Sequence, residues 1–414
     1  MDGPGPERSD VMRGAAPEEA VDGTEHRVRV VVIGAGQAGL SSAYHLQRRG
    51  LEPHRDVVVL DANPAPGGAW LHRWPALTFD AAHALHDLPG FPLGTPDPKE
   101  PASQVVNRYY GAFERKFDLP VVRPVSVVRV EPVPAAAPDG GTPSEQGLTG
   151  WAPDDDVLRD RSVAPLRVTT TAGTWVADVV VSATGTWDRP YWPYYRGRDI
   201  FTGRQLHTHD YRSAAELEGL RVLVVGGGTS AVQFMLHLHE AGAAPVWSTR
   251  RPPSFTRRPF DPEWGREVEA EVNARTSAGL PPASVVSVTG LSLTQQYQAG
   301  MDAGILVSRG PLAELRERTA VFADGSEDPI DAVLWATGFR AALDHLAPLH
   351  LREPGGGILM DGVHVVKEPR VLLVGYGASA STLGASRAGR AAATAAIAGL
   401  RDSTSHREAA GNLA

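Results

Sequence analysis

Val28-Arg-Val-Val-Val-Ile33 runs directly into Gly34-Ala-Gly36-Gln-Ala-Gly39, and this stretch decides the fold. A run of Val and Ile without alternation is a strand buried on both faces, as in a parallel sheet. The three glycines have separate duties. Gly34 permits the tight turn, Gly36 lets the backbone approach a pyrophosphate, and Gly39 lets a helix lie close against the strand. Helical periodicity then continues from Gln37 and Ala38 through Leu46. A pyrophosphate there would meet free amides and the positive end of the helix dipole.

With 44 glycines in 414 residues, three glycines at this spacing arise by chance about 0.5 times per chain, so context must carry the reading. A second strand, Val57-Val-Val-Leu60, ends in Asp61, which stands 22 residues past Gly39. An acid about 20 residues on suits the ribose hydroxyls of an adenosine. The same plan recurs at Arg221-Val-Leu-Val-Val225, followed by Gly226-Gly-Gly228-Thr229-Ser230-Ala231, a helix over 232–240 and the strand Val246-Trp247-Ser248. Here the acid is replaced by Arg250 and Arg251, 19 and 20 residues past Ala231. Guanidinium groups would clamp a 2′-phosphate that a carboxylate would repel, so this site prefers NADPH to NADH. Asp178-Val-Val-Val-Ser-Ala183-Thr-Gly185 and Asp331-Ala-Val-Leu-Trp-Ala-Thr337-Gly338 form another self-similar pair, one downstream of each turn. A third turn, Gly375-Tyr-Gly377-Ala-Ser-Ala380, follows the strand Val371–Val374 but precedes no acid-tipped strand. It reads as a further backbone approach to the cofactor of the first unit.

The expected fold class is α/β, with two Rossmann-type, doubly wound dinucleotide-binding domains. A hydrophobic fraction of 42% and a charged fraction of 21% suit a globular chain large enough for two or three domains. A net charge of −8 offers no basic field for nucleic acid or an anionic membrane. No window reaches the roughly 18 apolar residues of a membrane span. The absence of cysteine excludes disulfides, thiolate metal sites and every dithiol-relay enzyme built on two dinucleotide domains. Fourteen histidines show no HExxH or facial-triad spacing, so no metal is expected. Residues 1–26 lack an apolar stretch and read as a disordered tail of a cytoplasmic protein. The tract over 132–161, rich in Pro, Ala, Gly and Asp, reads as a flexible insertion. Asp324-Gly325 and Asp361-Gly362 read as hairpin turns.

Between the two turns lies Phe201-Thr-Gly203-Arg-Gln-Leu-His207-Thr-His-Asp-Tyr211, of the form F-x-G-x-x-x-H-x-x-x-Y, a pattern expected by chance under about 0.001 times in this composition. With Gly67-Gly68-Ala69-Trp70 beyond Asp61, it resembles the class B flavin-dependent monooxygenases over most of 27–400. Within that family it resembles compact bacterial flavoproteins grouped with cation-efflux oxidoreductases, and plant auxin-type enzymes. The resemblance implies an FAD domain over 27–193 that returns over 340–414, with an NADPH domain inserted over 194–339. It implies cofactor contacts at Gly34, Gly36, Gln37, Ala38, Gly39, Asp61, Gly68, Trp70, Val127, Ala183, Gly185, Gly203, Gly226, Gly228, Thr229, Ser230, Ala231, Arg250, Arg251, Thr337, Gly338, Gly375 and Gly377. His207 is the implied catalytic residue, coupling nicotinamide binding to flavin.

The implied chemistry is hydride transfer from NADPH to FAD, capture of dioxygen as a flavin (hydro)peroxide, and oxygen transfer to a small substrate. The motif ends in Tyr211-Arg212 where Baeyer–Villiger enzymes have Trp-Pro, which points to nitrogen or sulfur as the oxygen acceptor. Animal-type members carry an asparagine that steadies the peroxide. Over 77–92 the polar candidates for that role are Asp80, His83, His86 and Asp87, none of them an asparagine. Two alternatives therefore stay open: an NADPH oxidase or flavin reductase, and a non-catalytic NADPH-sensing flavoprotein. Trp70, Trp74 and Trp187 are candidates for the flavin cleft. The substrate and the oligomeric state are not encoded in any readable pattern.

Overall fold

A computed structural model describes residues 25–82, 85–134, 164–258, 262–283 and 285–411. The tail over 1–24, most of the expected insertion (135–163) and His83 lie outside the described residues.

The first sheet is built around β1 (Glu25–Ile33), which pairs in parallel with β2 (Val57–Leu60) on one edge. β3 (Val121–Val122) lies beyond β2, also parallel. β4 (Val127–Pro132) and β5 (Leu166–Thr170) form an antiparallel pair. β6 (Gly173–Ser182) takes the other edge of β1 along its length. The second edge of β6 is shared: β5 pairs antiparallel with its first half, and a strand formed by Val371–Leu373 pairs parallel with its second half. β1 begins at Glu25, so Glu25 and His26 belong to the sheet and not to the tail that the sequence suggested.

The second sheet is all parallel. It contains β7 (Arg204–His207), β8 (Arg221–Val225) and β9 (Ala244–Ser248). β10 (Phe255–Thr256) and β11 (Leu291–Ser292) make a separate parallel pair. β12 (Leu312–Arg316), β13 (Thr319–Phe322) and β14 (Glu327–Pro329) form an antiparallel sheet, with Gly325 in its second turn at φ +82°. β15 (Ala332–Trp335) completes the second sheet between β7 and β8. β16 (Met360–Asp361), β17 (His364–Val365) and β18 (Val371–Leu373) return the chain to the first sheet. The second sheet is thus inserted, in chain order, into the first.

Among the described residues seven α-helices flank these sheets: α1 (Gln37–Gln47), α2 (Ala102–Phe117), α3 (Thr229–Glu240), α4 (Pro262–Thr276), α5 (Val285–Thr289), α6 (Gln295–Asp302) and α7 (Thr382–Gly411). Successive strand residues serve opposite faces. Val30, Val32, Val179 and Val181 meet Leu40 of α1 and Ala392, Ala393 and Ala396 of α7. Val31, Ile33, Val58 and Val180 face Val130, Val168 and Leu346 instead. Small residues let α1 and α7 approach closely. A Cβ at Gly389 would lie 2.6 Å from the Ala38 carbonyl, and the Ser41 hydroxyl donates to Ser386 O at 2.8 Å.

Two crossovers link the units, and they pair with each other. The Tyr191 amide donates to Gly338 O at 2.9 Å, and the Arg340 amide to Arg189 O at 2.8 Å. The two Ala-Thr-Gly repeats therefore end side by side.

Candidate active site

A cleft of about 760 Å³ opens where β1, β2 and β6 end and α1 begins. Gly34, at φ +99°, makes the turn, and its amide donates to Leu60 O at 2.7 Å. A Cβ on Gly39 would sit 1.9 Å from the Gly34 carbonyl oxygen, so α1 can lie this close only with glycine there. A Cβ on Gly36 would meet nothing within 4 Å, because Gly36 faces the open cleft. Gln37 and Ala38 line the cleft at the first turn of α1, where amides have no partner inside the helix. Gly68, at φ +54°, crosses this turn so tightly that a Cβ would be 2.9 Å from Gly36 Cα. Val127, Ala183, Gly185 and Gly375 also line the cleft. Gly377 does not; a Cβ there would rest 3.3 Å from Thr276 of α4.

Asp61 ends β2 at the cleft wall, 3% exposed. Arg123 donates to its Oδ2 through Nε at 3.2 Å, and the Asn63 side-chain amide donates to Oδ1 at 3.3 Å. Arg123 also forks onto Glu114 of α2 at 2.6 and 2.8 Å. Burial pushes the Asp61 carboxyl up, opposed by the Arg123 charge. Arg123, Glu114 and Asn63 escaped the sequence reading because no spacing rule links them to Asp61.

Trp70, Arg73 and Trp187 line the cleft. The Arg73 Cζ lies 4.6 Å from the Trp187 ring centre and 5.7 Å from that of Trp70. Trp74 does not reach the cleft. It is buried against Tyr211 and Phe234 in the core of the inserted unit. Of the polar residues weighed for steadying oxygen, Asp80 accepts the Thr78 hydroxyl and Asp87 accepts the Leu93 amide. Neither they nor His86 line the cleft. His345 does line it, but its Nε2 is bonded to Ser182 Oγ at 3.1 Å and burial pulls its pKa down to about 4.

In the inserted unit Gly226, at φ +144°, packs so close to β15 that a Cβ would be 2.1 Å from Ala336 O. A Cβ on Gly228 would meet nothing within 4 Å. Thr229, Ser230 and Ala231 open α3, three residues earlier than the periodicity suggested. Arg250 and Arg251 are exposed just past β9, and among the described residues neither has a carboxylate partner.

In the F-x-G-x-x-x-H-x-x-x-Y stretch a Cβ on Gly203 would collide with the Phe201 ring at 2.4 Å and with Asp331 O at 2.3 Å. Gly203 is therefore a position where packing admits only glycine. His207 is fully buried at the end of β7. Its Nδ1 accepts the His209 amide at 3.1 Å, so Nε2 carries the proton and donates to Gly338 O at 3.0 Å. Burial pulls its pKa down to about 4. Both ring nitrogens of His207 are thus bonded within the protein. Gly338 and Thr337 belong to the crossover, through Tyr191.

The open backbone at Gly36, the roof at Gly68 and the acid at Asp61 fit FAD. The open backbone at Gly228 and the two arginines fit NADPH. A family model described as pyridine nucleotide-disulphide oxidoreductase matches residues 28–398. The chain belongs to this family. The disulphide chemistry in the family's description has no residues here, since the chain lacks cysteine. A flavin-containing monooxygenase from Stenotrophomonas maltophilia superposes with a TM-score of 0.69 at 32% identity, covering 90% of this chain and 99% of that one. An uncharacterized CzcO-like oxidoreductase of Geobacillus kaustophilus is 25% identical over 350 residues, 79% of this chain and 88% of that protein. A Baeyer-Villiger monooxygenase of Streptomyces coelicolor is 27% identical over 369 residues, 76% of this chain but 64% of its own length. The protein is an FAD- and NADPH-dependent oxidoreductase of the flavin monooxygenase type. Among the described residues no helix is long and apolar enough to cross a membrane.

Proposed function

We propose that this enzyme transfers one oxygen atom from dioxygen to a nitrogen or sulfur nucleophile of a small organic substrate, at NADPH's expense. The observation that carries the reading is the cleft at Gly36, where the backbone is bare and the first turn of α1 opens. Bound FAD supplies hydride acceptance and oxygen activation. The protein's part is binding and exclusion of water.

In this reading the first-turn amides of α1 hold the pyrophosphate, and Asp61, steadied by Arg123, receives the ribose hydroxyls. The unit split around residues 194–339 binds FAD, and the inserted unit binds NADPH with Arg250 and Arg251 at the 2′-phosphate. Trp70 and Trp187 shield the reacting end from water. His207, neutral and with its tautomer fixed by two bonds, is a positioning residue that keeps β7 in register with the crossover. Tyr211-Arg212 in place of Trp-Pro favours nitrogen or sulfur over ketone substrates. A cytoplasmic location suits an enzyme that draws on NADPH.

A second reading, an NADPH oxidase or flavin reductase, is favoured by one observation. Asn63, an amide in the cleft wall, is already engaged by Asp61 and by His72 at 2.6 Å. Stopped-flow spectroscopy separates the two. Protein loaded with FAD is bleached anaerobically by NADPH or NADH, then mixed with oxygenated buffer. Faster bleaching by NADPH and a transient species before the oxidised spectrum returns support oxygen transfer. Direct return with stoichiometric hydrogen peroxide supports the oxidase, and a protein that takes up no flavin overturns both.

A further inference from the structure

We propose that Arg73 is a substrate-selecting residue, and that the nucleophile this enzyme oxygenates carries a carboxylate. The inference rests on the function proposed above and goes further, to the chemical class of the substrate.

Arg73 follows the 3-10 turn Gly68–His72 and lines the cleft. Its guanidinium carbon lies over the indoles of Trp70 and Trp187, at 5.7 and 4.6 Å from the ring centres. Contacts of a cation with ring faces use none of its N–H donors, and among the described residues the side chain makes no hydrogen bond. Nε is buried with no hydrogen-bond partner, and among the described residues no carboxylate pairs with the side chain. Of the acids lining the cleft, Asp61 pairs with Arg123 and Asp344 with Arg189, while Asp188 is exposed to solvent. Burial draws the Arg73 pKa down to about 10, so the group is still a cation at neutral pH.

A half-buried cation whose Nε is buried and unpartnered is costly unless something accepts from it. A carboxylate matches the fork with two parallel bonds, which a neutral amide cannot do and an ammonium group opposes. Arg73 therefore rewards an acid and rejects an amine of the same shape, which is discrimination by both attraction and repulsion.

The test uses FAD-loaded protein and three probes of one shape: methylthioacetate, its neutral amide, and methylthioethylamine. Affinity is read by calorimetry for wild type, Arg73→Met and Arg73→Lys, with flavin spectra recorded alongside. Wild type is expected to bind the acid roughly 10- to 100-fold more tightly than the amide, with the amine weakest. Arg73→Met should abolish that order, and Arg73→Lys should keep part of it. Equal affinity of wild type for acid and amide overturns the proposal, even if Arg73→Met proves insoluble. An intact acid preference in Arg73→Met, with a shifted flavin spectrum, also overturns it, because flavin itself would then be the acceptor. Bleaching of the same wild-type sample by NADPH shows separately whether the underlying flavoenzyme reading stands.

Discussion

Replacing Gly36 by alanine adds one methyl group to the first turn at a point where the added Cβ meets nothing within 4 Å. Gly36 has φ −77° and ψ −175°, extended backbone open to any L residue. Folding energy should barely change. Restricting the unfolded chain stabilises by about 0.4–1 kcal/mol, and a poorer N-cap costs about as much. A melting shift within about 4 °C follows. The methyl group does project where a pyrophosphate must approach the α1 amides. Two hydrogen bonds to a charged group, at about 1.5–3 kcal/mol each, would be lost. That predicts FAD binding weakened roughly 10²- to 10⁴-fold. Gly39→Ala is the contrast, because its Cβ would lie 1.9 Å from the Gly34 carbonyl oxygen. Overpacking there should cost about 1–3 kcal/mol or more and lower the melting temperature as well as flavin content. The assay is titration of deflavinated protein with FAD, followed by fluorescence quenching, beside a circular-dichroism melt. Wild-type FAD affinity in Gly36→Ala would refute the placement of the pyrophosphate, whatever Gly39→Ala does.

Three further expectations are open to measurement. Changing Arg250 and Arg251 together to glutamine should raise KM for NADPH by roughly 10- to 100-fold through lost contacts to the 2′-phosphate. KM for NADH should move little; parallel loss for both coenzymes would place the phosphate elsewhere. Arg123→Met leaves Asp61 and Glu114 buried without their shared cation, which should cost about 3–5 kcal/mol in urea unfolding. Unchanged stability in that variant would show the network to be solvated. His207 and His345 both have folded pKa values pulled from 6.5 down to about 4. The unfolded chain therefore binds more protons between pH 4 and 6.5, so stability is fully present above 6.5 and is lost as pH falls through that window. Each buried ring contributes at most about 3 kcal/mol. Unfolding midpoints at pH 7 and pH 5 should differ, and His345→Asn should shrink the difference; a flat profile contradicts the burial argument.

The sequence by itself determined the two strand–turn–helix units and their parallel sheets. Those features are written locally, in runs of Val and Ile, in glycines at fixed offsets, and in helical periodicity. It also picked out Asp61 and the arginines past β9, because their distance from each turn is set by one helix and one strand. The two Asp-Gly turns likewise needed no tertiary information; both close antiparallel pairs. Only the tertiary structure decided what the remaining side chains do. Arg73 lies over Trp70 and Trp187, which the sequence separates by more than a hundred residues. Arg123 reaches Asp61 and Glu114 from a third segment. Trp74 went to the core of the inserted unit, not to the cleft. His207 and Gly203 belong to one motif, yet only the tertiary structure shows that His207 is bonded to Gly338 and that Gly203 is packed against Phe201 and Asp331. The physical reason is the same in each case. Backbone geometry follows from neighbours along the chain, while burial and partners follow from neighbours in space.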